Sequence, residues 1–479
     1  MSSVHLNVER KPSDQRLASD LYRAVWRWHF YAGLLVLPFL IWLAITGGIY
    51  VFKNQVDDFF HHELKSVTQA SNQALPDGQL AAAALAAHPG TLVRYTPPPS
   101  STRSAEALIA TNGAERLSVF IDPYSARVLG SLPDGGSVAW TVRKLHSLKY
   151  FGSVARGVIE IAAGWSILLV LTGIYLWWPR GRSGGVISVR GKPEKRVFWR
   201  DLHAVTGLFV GGILLFLALT GMPWSVFWGA KVNQWANGQN YGYPSGVRVQ
   251  IPMSDAKLSE GDNAAWSLLQ AKVPQSGHEG HEGHEGHEGH EQSSAKAEPL
   301  ATGLPPSLTL DQAIAVFKRL GISAGYAVQP PKGSQGVYTA SVYPEDIRQQ
   351  RVIHLDQYSG RPLLDMSFAD YGPVAKTLEW GINVHLGQEF GVLNQVLLTA
   401  ACLGIILLCV SAAVMWWKRR PSAGLGVPPL PNERRVLRGV LTMLLLGGAL
   451  FPLVGLSLLV MALADWIAFS SSNSQSKSS

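Results

Sequence analysis

The sequence predicts an α-helical transmembrane bundle of five spans, made of a duplicated two-helix module plus one extra helix, with two small α+β domains outside the membrane. Three observations support this prediction: long apolar runs, basic residues clustered between them, and a repeated spacing of histidine, glycine and tryptophan. Hydrophobic residues make up 47% of the 479 residues and charged residues only 15%, which is a low charged fraction for a soluble protein. Most of the function is therefore expected in a membrane.

Five apolar stretches are long enough to cross a bilayer core, which takes about 20 helical residues. They lie near 30–52, 161–178, 202–230, 390–417 and 439–464. We interpret the first as a permanent anchor and not a signal peptide, because a long segment precedes it and no small-residue cleavage site ends it.

Lysine and arginine gather before the first span, between spans two and three, and between spans four and five. The positive-inside rule assigns all three groups to the cytoplasm, so the N-terminus is predicted inside and both long loops outside. The net charge of +8 then reflects topology and does not predict nucleic acid binding. The only cysteines, Cys402 and Cys409, lie within span four and are predicted to be packing residues.

These patterns divide the chain into twelve segments. They are a cytoplasmic tail (1–28), a first span (29–52), a first outer domain (53–138), an interfacial segment with the second span (139–178), a basic cytoplasmic loop (179–200), a third span (201–230), an outer linker (231–300), a second outer domain (301–375), an interfacial segment with the fourth span (376–417), a cytoplasmic loop (418–438), a fifth span (439–464) and an outer tail (465–479).

Both outer domains follow one pattern of a helix and then short alternating strands. The predicted helices are 79–87 and 310–320, and the predicted strands are 91–95, 106–110 and 117–121 in the first domain and 325–329, 337–342 and 351–355 in the second. Each set ends in an Asp-x-Tyr-Ser turn, at Asp122 and at Asp356. The duplication therefore includes the outer domains.

Two histidines recur in each half of the chain. The repeats place His146 and His385 each 31 residues before a tryptophan pair (Trp177-Trp178 and Trp416-Trp417), and His29 and His203 each 17 residues before a Thr-Gly pair (Thr46-Gly47 and Thr220-Gly221). The topology puts His29 and His203 near the inner face and His146 and His385 near the outer face. A bend near Phe151-Gly152 and near Phe390-Gly391 would bring the latter two to the interface.

The two halves have the same orientation, so a pseudo-twofold axis along the membrane normal should relate them. A ligand on that axis would receive one imidazole from each half, which suits haem iron with two axial histidines. We predict two such haems, held by His29 with His203 and by His146 with His385, and of b type because no Cys-x-x-Cys-His occurs. A single histidine at a helix end is usually an interfacial side chain, and zinc would need further ligands that neither depth offers.

Several other residues are secondary candidates. Arg23, Arg27 and Arg200 near the inner pair, and Arg143 and Arg156 near the outer pair, are candidates for binding haem propionates, with positive-inside signalling or lipid headgroup contact as the alternative. Glu160 is expected either to relay protons or to pair with Arg156. Other outer histidines, namely His61, His62, His88 and His354, are predicted to be surface residues and not ligands.

A run of His-Glu-Gly triplets precedes the second outer domain. Its histidines are His278, His281, His284, His287 and His290, and its flanks are rich in Ser, Ala, Lys and Pro, so we predict disorder. Imidazole suits copper and zinc, so the tract either binds such ions loosely or is a linker without a further role.

The segment from Thr172-Gly173 to Trp177-Trp178-Pro179-Arg180, with the two Thr-Gly repeats and the Asp122 turn, resembles a known bacterial family. This family combines PepSY domains with PepSY-associated transmembrane helices in the inner membrane, and the chain is most similar to its iron-regulated ferric-siderophore reductases. The resemblance covers most of the chain outside the N-terminal tail, the histidine tract and the last span.

The resemblance implies a di-haem protein that carries electrons across the inner membrane to a periplasmic ferric siderophore, with the four repeated histidines as haem ligands. Some relatives carry a fused flavin reductase domain, and this chain shows no such segment, so the electron donor is expected to be quinol or a separate cytoplasmic reductase. Two other functions stay open: a copper- or zinc-binding accessory of metal uptake or resistance without electron transfer, and a PepSY protein that restrains a partner.

Overall fold

The structure is a computed structural model that describes residues 12–69, 73–180, 184–238, 251–261, 264–277, 306–421, 426–427, 433–461 and 463. It divides into two compact units. The helical unit consists of Met1–Lys53, Thr141–Val232 and Val384–Ser479, and the sheet unit consists of Asn54–Trp140 and Asn233–Asn383.

The elements follow the predicted order closely. The helices are α1 (Pro12–Tyr50), α2 (Lys53–Phe60), α3 (His62–Lys65), α4 (Asp77–Ala87), α5 (Val138–His146), α6 (Gly152–Trp177), α7 (Arg196–Gly221), α8 (Trp228–Gly238), α9 (Leu310–Arg319), α10 (Pro373–His385), α11 (Gly391–Trp417), α12 (Arg434–Leu450) and α13 (Pro452–Met461). The strands are β1 (Gly90–Thr96), β2 (Ala105–Thr111), β3 (Arg116–Ile121), β4 (Val128–Pro133), β5 (Met253–Lys257), β6 (Lys272–Pro274), β7 (Ala327–Gln329), β8 (Val337–Val342), β9 (Arg351–Asp356) and β10 (Pro362–Ser367).

Among the described residues, four helices of the helical unit are long and apolar enough to cross a membrane, which confirms the first four predicted spans. Their spanning segments are Ser19–Tyr50, Lys149–Trp177, Arg196–Trp224 and Gly391–Trp417. Both α1 and α7 pack against α6 and α11. The four helices therefore form a ring in which α1 lies diagonally opposite α7, and α6 diagonally opposite α11.

One face of α1 shows why the ring closes tightly. Ala32, Val36, Leu40 and Ala44 recur every fourth residue and are all buried in the core of the bundle. The small side chains of Ala32 and Ala44 let neighbouring membrane helices approach closely, and dispersion contacts, including those of Val36 and Leu40, then hold the helices together. Leu35, Ile45 and Ile49 of the same helix are exposed, as expected for side chains that face lipid.

The predicted fifth span is not confirmed as one crossing helix. The helix α12 ends at Leu450, the next residue Phe451 has φ −122° and ψ 85°, and α13 begins at Pro452. A β-carbon at Gly448 would lie 2.7 Å from the Cα of Gly455, whereas residues seven apart in one straight helix are about 10 Å apart. The chain thus turns sharply at Phe451. Gly448 and Gly455 have no side chains, which lets α12 and α13 lie in contact on either side of the turn.

The turn at Phe451 packs against α6. A β-carbon at Gly164 would lie 2.5 Å from Cγ2 of Val454, so this position accepts no side chain without displacement. Trp165 Nε1 donates to Ser457 Oγ at 2.9 Å, and the Trp165 side chain is buried. The C-terminal helix pair is therefore bound to the bundle by close packing and by one buried polar contact.

The two predicted outer domains share one sheet. Its eight strands are ordered β10-β9-β8-β7-β1-β2-β3-β4, all antiparallel, and the two halves meet where Tyr95 of β1 pairs with Val328 of β7. The predicted strands are confirmed, and each half has a fourth strand, β4 or β10, that the sequence analysis missed. Both Asp-x-Tyr-Ser turns form alike: Asp122 Oδ1 accepts from Tyr124 N at 2.9 Å, and Asp356 Oδ1 accepts from Tyr358 N at 3.0 Å.

Each face of the sheet has its own core. The helices α4 and α9 cover one face, where Leu80, Ile314 and Phe317 are fully buried. On the other face, Leu268 and neighbouring residues of 258–271 cover Val352 and Met366.

The prediction that His354 is a surface residue was wrong. His354 is 1% exposed in the middle of β9, and its Nδ1 lies 2.9 Å from Thr339 Oγ1 on β8. This burial lowers the pKa of His354 to about 4.

Candidate functional site

The bundle brings His29 and His203 together across the diagonal between α1 and α7. Their ring centres are 6.5 Å apart, and the ring planes make an angle of 85°. Two imidazoles that bond one metal through Nε2 at about 2 Å each have ring centres roughly 6 Å apart. The spacing of this first pair, His29 and His203, therefore fits two axial ligands of one metal.

The second pair, His146 and His385, lies in the helices that precede the spans. The predicted bends are present: Leu148 has φ 52° and Gly152 φ 86° before α6, and Gly391 has φ 55° before α11. Glycine adopts such angles without steric strain, so the chain changes direction there. His385 lies close enough to His146 for its charge to matter: the pKa of His385 is lowered to about 3, mainly by burial and further by His146.

The main chain just before each second-pair histidine is held by a side chain from a spanning helix. Trp42 Nε1 donates to the carbonyl oxygen of Leu145 at 2.9 Å. Asn394 Nδ2 donates to the carbonyl oxygen of Val384 at 3.1 Å. The two halves thus fix equivalent carbonyls with different side chains.

Three of the four imidazoles are bonded by a threonine of another helix. The Nδ1···Oγ1 distances are 2.8 Å for His29 with Thr172, 2.9 Å for His146 with Thr46 and 2.8 Å for His385 with Thr220. In the first half, α1 carries His29 and the threonine that binds His146, whereas α6 carries the threonine that binds His29. Both α1 and α7 therefore carry a first-pair histidine and, 17 residues later, the threonine that orients a second-pair histidine.

These bonds determine which imidazole nitrogen carries the proton. Each threonine hydroxyl also donates to the carbonyl oxygen four residues back, at 2.7 Å in all three cases: Thr46 to Trp42, Thr172 to Leu168 and Thr220 to Phe216. Having given its own proton, the hydroxyl oxygen accepts from the imidazole, so Nδ1 is protonated and Nε2 keeps its lone pair.

His203 departs from this pattern but reaches the same state. Its Nδ1 lies 3.0 Å from the carbonyl oxygen of Leu408, and 3.4 Å from Ser411 Oγ, which itself donates to that carbonyl at 2.8 Å. Because a carbonyl only accepts, Nδ1 of His203 carries the proton. Among the residues that the structure describes, no Nε2 atom of the four histidines has a hydrogen-bond partner, and none is sealed by surrounding atoms.

A glycine follows each of the three threonines and lies against the imidazole. A β-carbon would lie 3.2 Å from His146 Cε1 if added at Gly47, 3.4 Å from His29 Cε1 at Gly173 and 3.6 Å from His385 Cε1 at Gly221. The Thr-Gly pair is thus a two-residue holder: the threonine accepts the Nδ1 proton and the glycine makes room for the ring edge. The residues present fit a metal that takes one Nε2 from each half, as in bis-histidine haem.

The arginines predicted to bind propionates have protein partners. In the helical unit, Arg23 pairs with Asp20 at 3.4 Å, Arg27 stacks on Tyr31 and donates to its hydroxyl at 3.2 Å, and Arg200 donates to the fully buried Asp201 at 2.9 Å. Arg143 and Arg156 are brought together at Trp224: the first stacks on its ring, and the second donates to its carbonyl oxygen at 3.3 Å. Only the latter two form a common basic cluster among the predicted five.

Among the described residues, Glu160 forms no ion pair with Arg156 and instead contacts the main chain. Its carboxylate accepts from the backbone N–H groups of Phe227 and Trp228, at 2.8 and 2.9 Å, where α8 begins. The side chain is buried, so this carboxylate caps the helix from the neighbouring α6.

The predicted metal-binding tract, His278 to His290, lies outside the described residues. Within the part of the chain that the structure describes, no group of three or more His, Cys, Asp or Glu side chains is placed to hold a metal ion. Cys402 and Cys409 are buried and unbonded to each other, as predicted.

The contacts of Thr46, Thr172 and Thr220 with the histidines were not predicted from the sequence. Their signal was already present in the repeats, because Thr-Gly follows His29 and His203 at the same distance, and Thr172-Gly173 in the first half corresponds to Ser411-Ala412 in the second. The repeat alone does not identify the partner, because the histidine that each threonine contacts lies in a different helix.

The four spanning helices and the duplicated histidine sites define a multi-pass membrane protein. The chain belongs to the family with a PepSY-associated TM region, whose model matches residues 26–419. No curated protein matches the chain. The matched region includes all four histidines, their threonine partners and the sheet unit between them.

Proposed function

We propose that this protein is a di-haem inner-membrane reductase that passes electrons from the cytoplasmic side to a periplasmic ferric siderophore, from which Fe(II) is released. In this proposal, His29 and His203 hold one b-type haem, and His146 and His385 hold the other. The N-terminus is cytoplasmic and the sheet unit is periplasmic.

One observation carries the proposal. Four imidazoles occur as two pairs, each Nδ1 lies 2.8–3.0 Å from a protein oxygen that can accept its proton, and no Nε2 has a hydrogen-bond partner among the described residues. A structural histidine in a membrane helix gains most when both ring nitrogens are bonded, because an unpaired polar atom is costly there. Four Nε2 atoms without a hydrogen-bond partner in the protein are therefore better explained by metal ligation than by a purely structural role of the histidines.

The chain's own residues would orient the ligands and separate the two sites. The Thr-Gly holders fix the ring orientation before any ligand binds, which lowers the ordering that binding requires. Along α1, the 17 residues from His29 to Thr46 correspond to about 25 Å. When bound, haem supplies reversible one-electron chemistry.

The ferric substrate is proposed on chemical grounds. One electron converts Fe(III) to Fe(II), a softer ion that hard oxygen chelators hold less tightly, so reduction releases the iron. The electrons would come from quinol or from a separate cytoplasmic reductase. The lipid bilayer is the remaining partner, and no nucleic acid is expected.

Transmembrane electron transfer can be tested in vesicles that contain a trapped ferric siderophore and a trapped Fe(II)-specific chromophore, with dithionite added outside. We expect Fe(II) to form inside vesicles with the wild-type protein and with His62→Ala, a control at an exposed histidine of α3. Vesicles without protein, or with His29→Ala or His146→Ala, should form little. A haem-loaded wild-type protein that transfers no electrons would contradict the proposed reductase and favour a metal-binding accessory or a PepSY interaction protein.

A further inference from the structure

The hydrogen bonds to the four Nδ1 atoms differ in a way that should be measurable. At three histidines the acceptor is a threonine hydroxyl whose own proton is used elsewhere. At His203 the nearer acceptor is the main-chain carbonyl of Leu408, 3.0 Å from Nδ1, whereas Ser411 Oγ lies 3.4 Å from Nδ1 and donates its own proton to that carbonyl at 2.8 Å. Ser411 stands in the repeat where the first half has Thr172.

An imidazole whose Nδ1–H is bound by an acceptor is a more basic ligand at Nε2. One-electron reduction removes a positive charge from the metal, so a more basic ligand favours the oxidised state and lowers the reduction potential. Hydrogen bonds to the ligand are one of the means by which a protein tunes haem iron. The acceptor at each Nδ1 therefore affects the potential of its own site.

We propose that Thr46, Thr172 and Thr220 are positioning residues that lower the reduction potential of the iron bound by the histidine each contacts, and that Ser411 has the opposite effect. Ser411 donates to the Leu408 carbonyl oxygen at 2.8 Å and so weakens that oxygen as the acceptor for His203. This inference rests on the proposed haem ligation. Thr172 and Ser411, which occupy equivalent places of the repeat, then change the reduction potential of the first-pair iron in opposite directions.

The test is a redox titration of the full-length protein in detergent, followed by visible spectroscopy, with each haem assigned through His29→Ala and His146→Ala. Thr172→Val should raise the potential of the first-pair haem only, and Thr46→Val and Thr220→Val that of the second-pair haem only. Loss of a hydrogen bond to the other ring nitrogen of a ligand histidine commonly changes metal affinity by about tenfold or more. A loss that weakens binding of the oxidised state tenfold more than that of the reduced state raises the potential by about 59 mV for one electron. Ser411→Ala should lower the first-pair potential.

Thr399→Val is the matched control. Thr399 lies in α11 and makes the same bond to a carbonyl four residues back, at 2.7 Å to Gln395, but contacts no imidazole. Thr46→Ser keeps the hydroxyl and should retain the wild-type potential.

Each outcome bears on the inference. If a valine variant loses its haem while the matching serine variant keeps it at the wild-type potential, the hydroxyl holds the ligand and the inference stands. Unchanged potentials in all three valine variants, an unchanged or raised potential in Ser411→Ala, or equal haem loss in the valine and serine variants would overturn it. A wild-type protein without haem would instead refute the proposed function itself.

Discussion

Thr46 Oγ1 and His146 Nδ1 lie 2.9 Å apart, although 100 residues separate them in the chain. The second half repeats the contact between Thr220 and His385 at 2.8 Å, across 165 residues. The duplication thus preserves the atoms that orient the second-pair histidines as well as the histidines themselves. The segment between Thr220 and His385 is longer than the one between Thr46 and His146 and includes the histidine tract, yet the contact is the same.

The glycine of the Thr-Gly holder should be needed for ligand binding. Gly47→Val places branched atoms where even a β-carbon lies 3.2 Å from His146 Cε1, so the ring must move and the second-pair haem should be lost. Gly212→Val is the control, because a β-carbon at Gly212 meets no atom within 4 Å. Haem content per chain, measured after denaturation in alkaline pyridine, checks the prediction. Two haems retained in Gly47→Val would contradict it.

Glu160→Gln should destabilise the helical unit. The carboxylate accepts two backbone N–H groups, and a glutamine amide replaces one acceptor oxygen with a donor that faces an N–H. Loss of a buried bond to a charged group costs about 1.5–3 kcal/mol. Thermal unfolding in detergent should show a lower Tm for this variant than for Glu63→Gln, a control at an exposed residue of α3. Equal melting temperatures would show that the cap contributes little.

The packing of the C-terminal helix pair depends on Gly164. Gly164→Leu introduces a side chain where a β-carbon is already 2.5 Å from Val454, so it should displace α13 and destabilise the protein by about 1–3 kcal/mol. Gly439→Leu, where a β-carbon meets nothing within 4 Å, should be close to wild type. Proteolysis of the detergent-solubilised protein would report the displacement as faster cleavage near the C-terminus in the first variant alone.

His354 should make the sheet unit sensitive to acid. Burial lowers the pKa of this imidazole from 6.5 to about 4, so the unfolded chain takes up the proton at a higher pH than the folded chain does. The free energy of unfolding therefore falls as the pH drops from 6.5 toward 4, by up to about 3 kcal/mol.

His354→Asn retains a polar partner for Thr339 and removes the titration. Hydrogen exchange of β8 and β9, corrected for the intrinsic effect of pH, should show less protection at pH 5 than at pH 7.5 in the wild type, and little difference in the variant. A wild type with equal protection at both values would contradict this account.

The sequence predicted the elements that repeat and missed those that depend on a distant partner. The four spans, the helix-and-strand pattern of each outer segment and the bends before α6 and α11 follow from local periodicity and glycine placement. The single sheet does not, because its two halves meet at one residue pair, Tyr95 with Val328, that no local pattern indicates.

Two other predictions, the single fifth span and the exposed His354, failed for equally physical reasons. Hydropathy over 439–464 does not detect the turn at Phe451, although Gly448, Pro452 and Gly455 were signals for one. His354 was assigned to the surface because a lone histidine is usually exposed, but Thr339 on the neighbouring strand supplies the hydrogen bond that permits its burial.

The central claim is that two pairs of histidines each ligate one haem. The most direct measurement is the visible spectrum and haem content of the purified protein, before and after dithionite, beside His29→Ala and His146→Ala. We predict sharp α-bands of six-coordinate b-type haem on reduction, two haems per chain in the wild type and one in each variant. A colourless wild-type protein from haem-replete cells would contradict the claim and leave metal sequestration as the leading account.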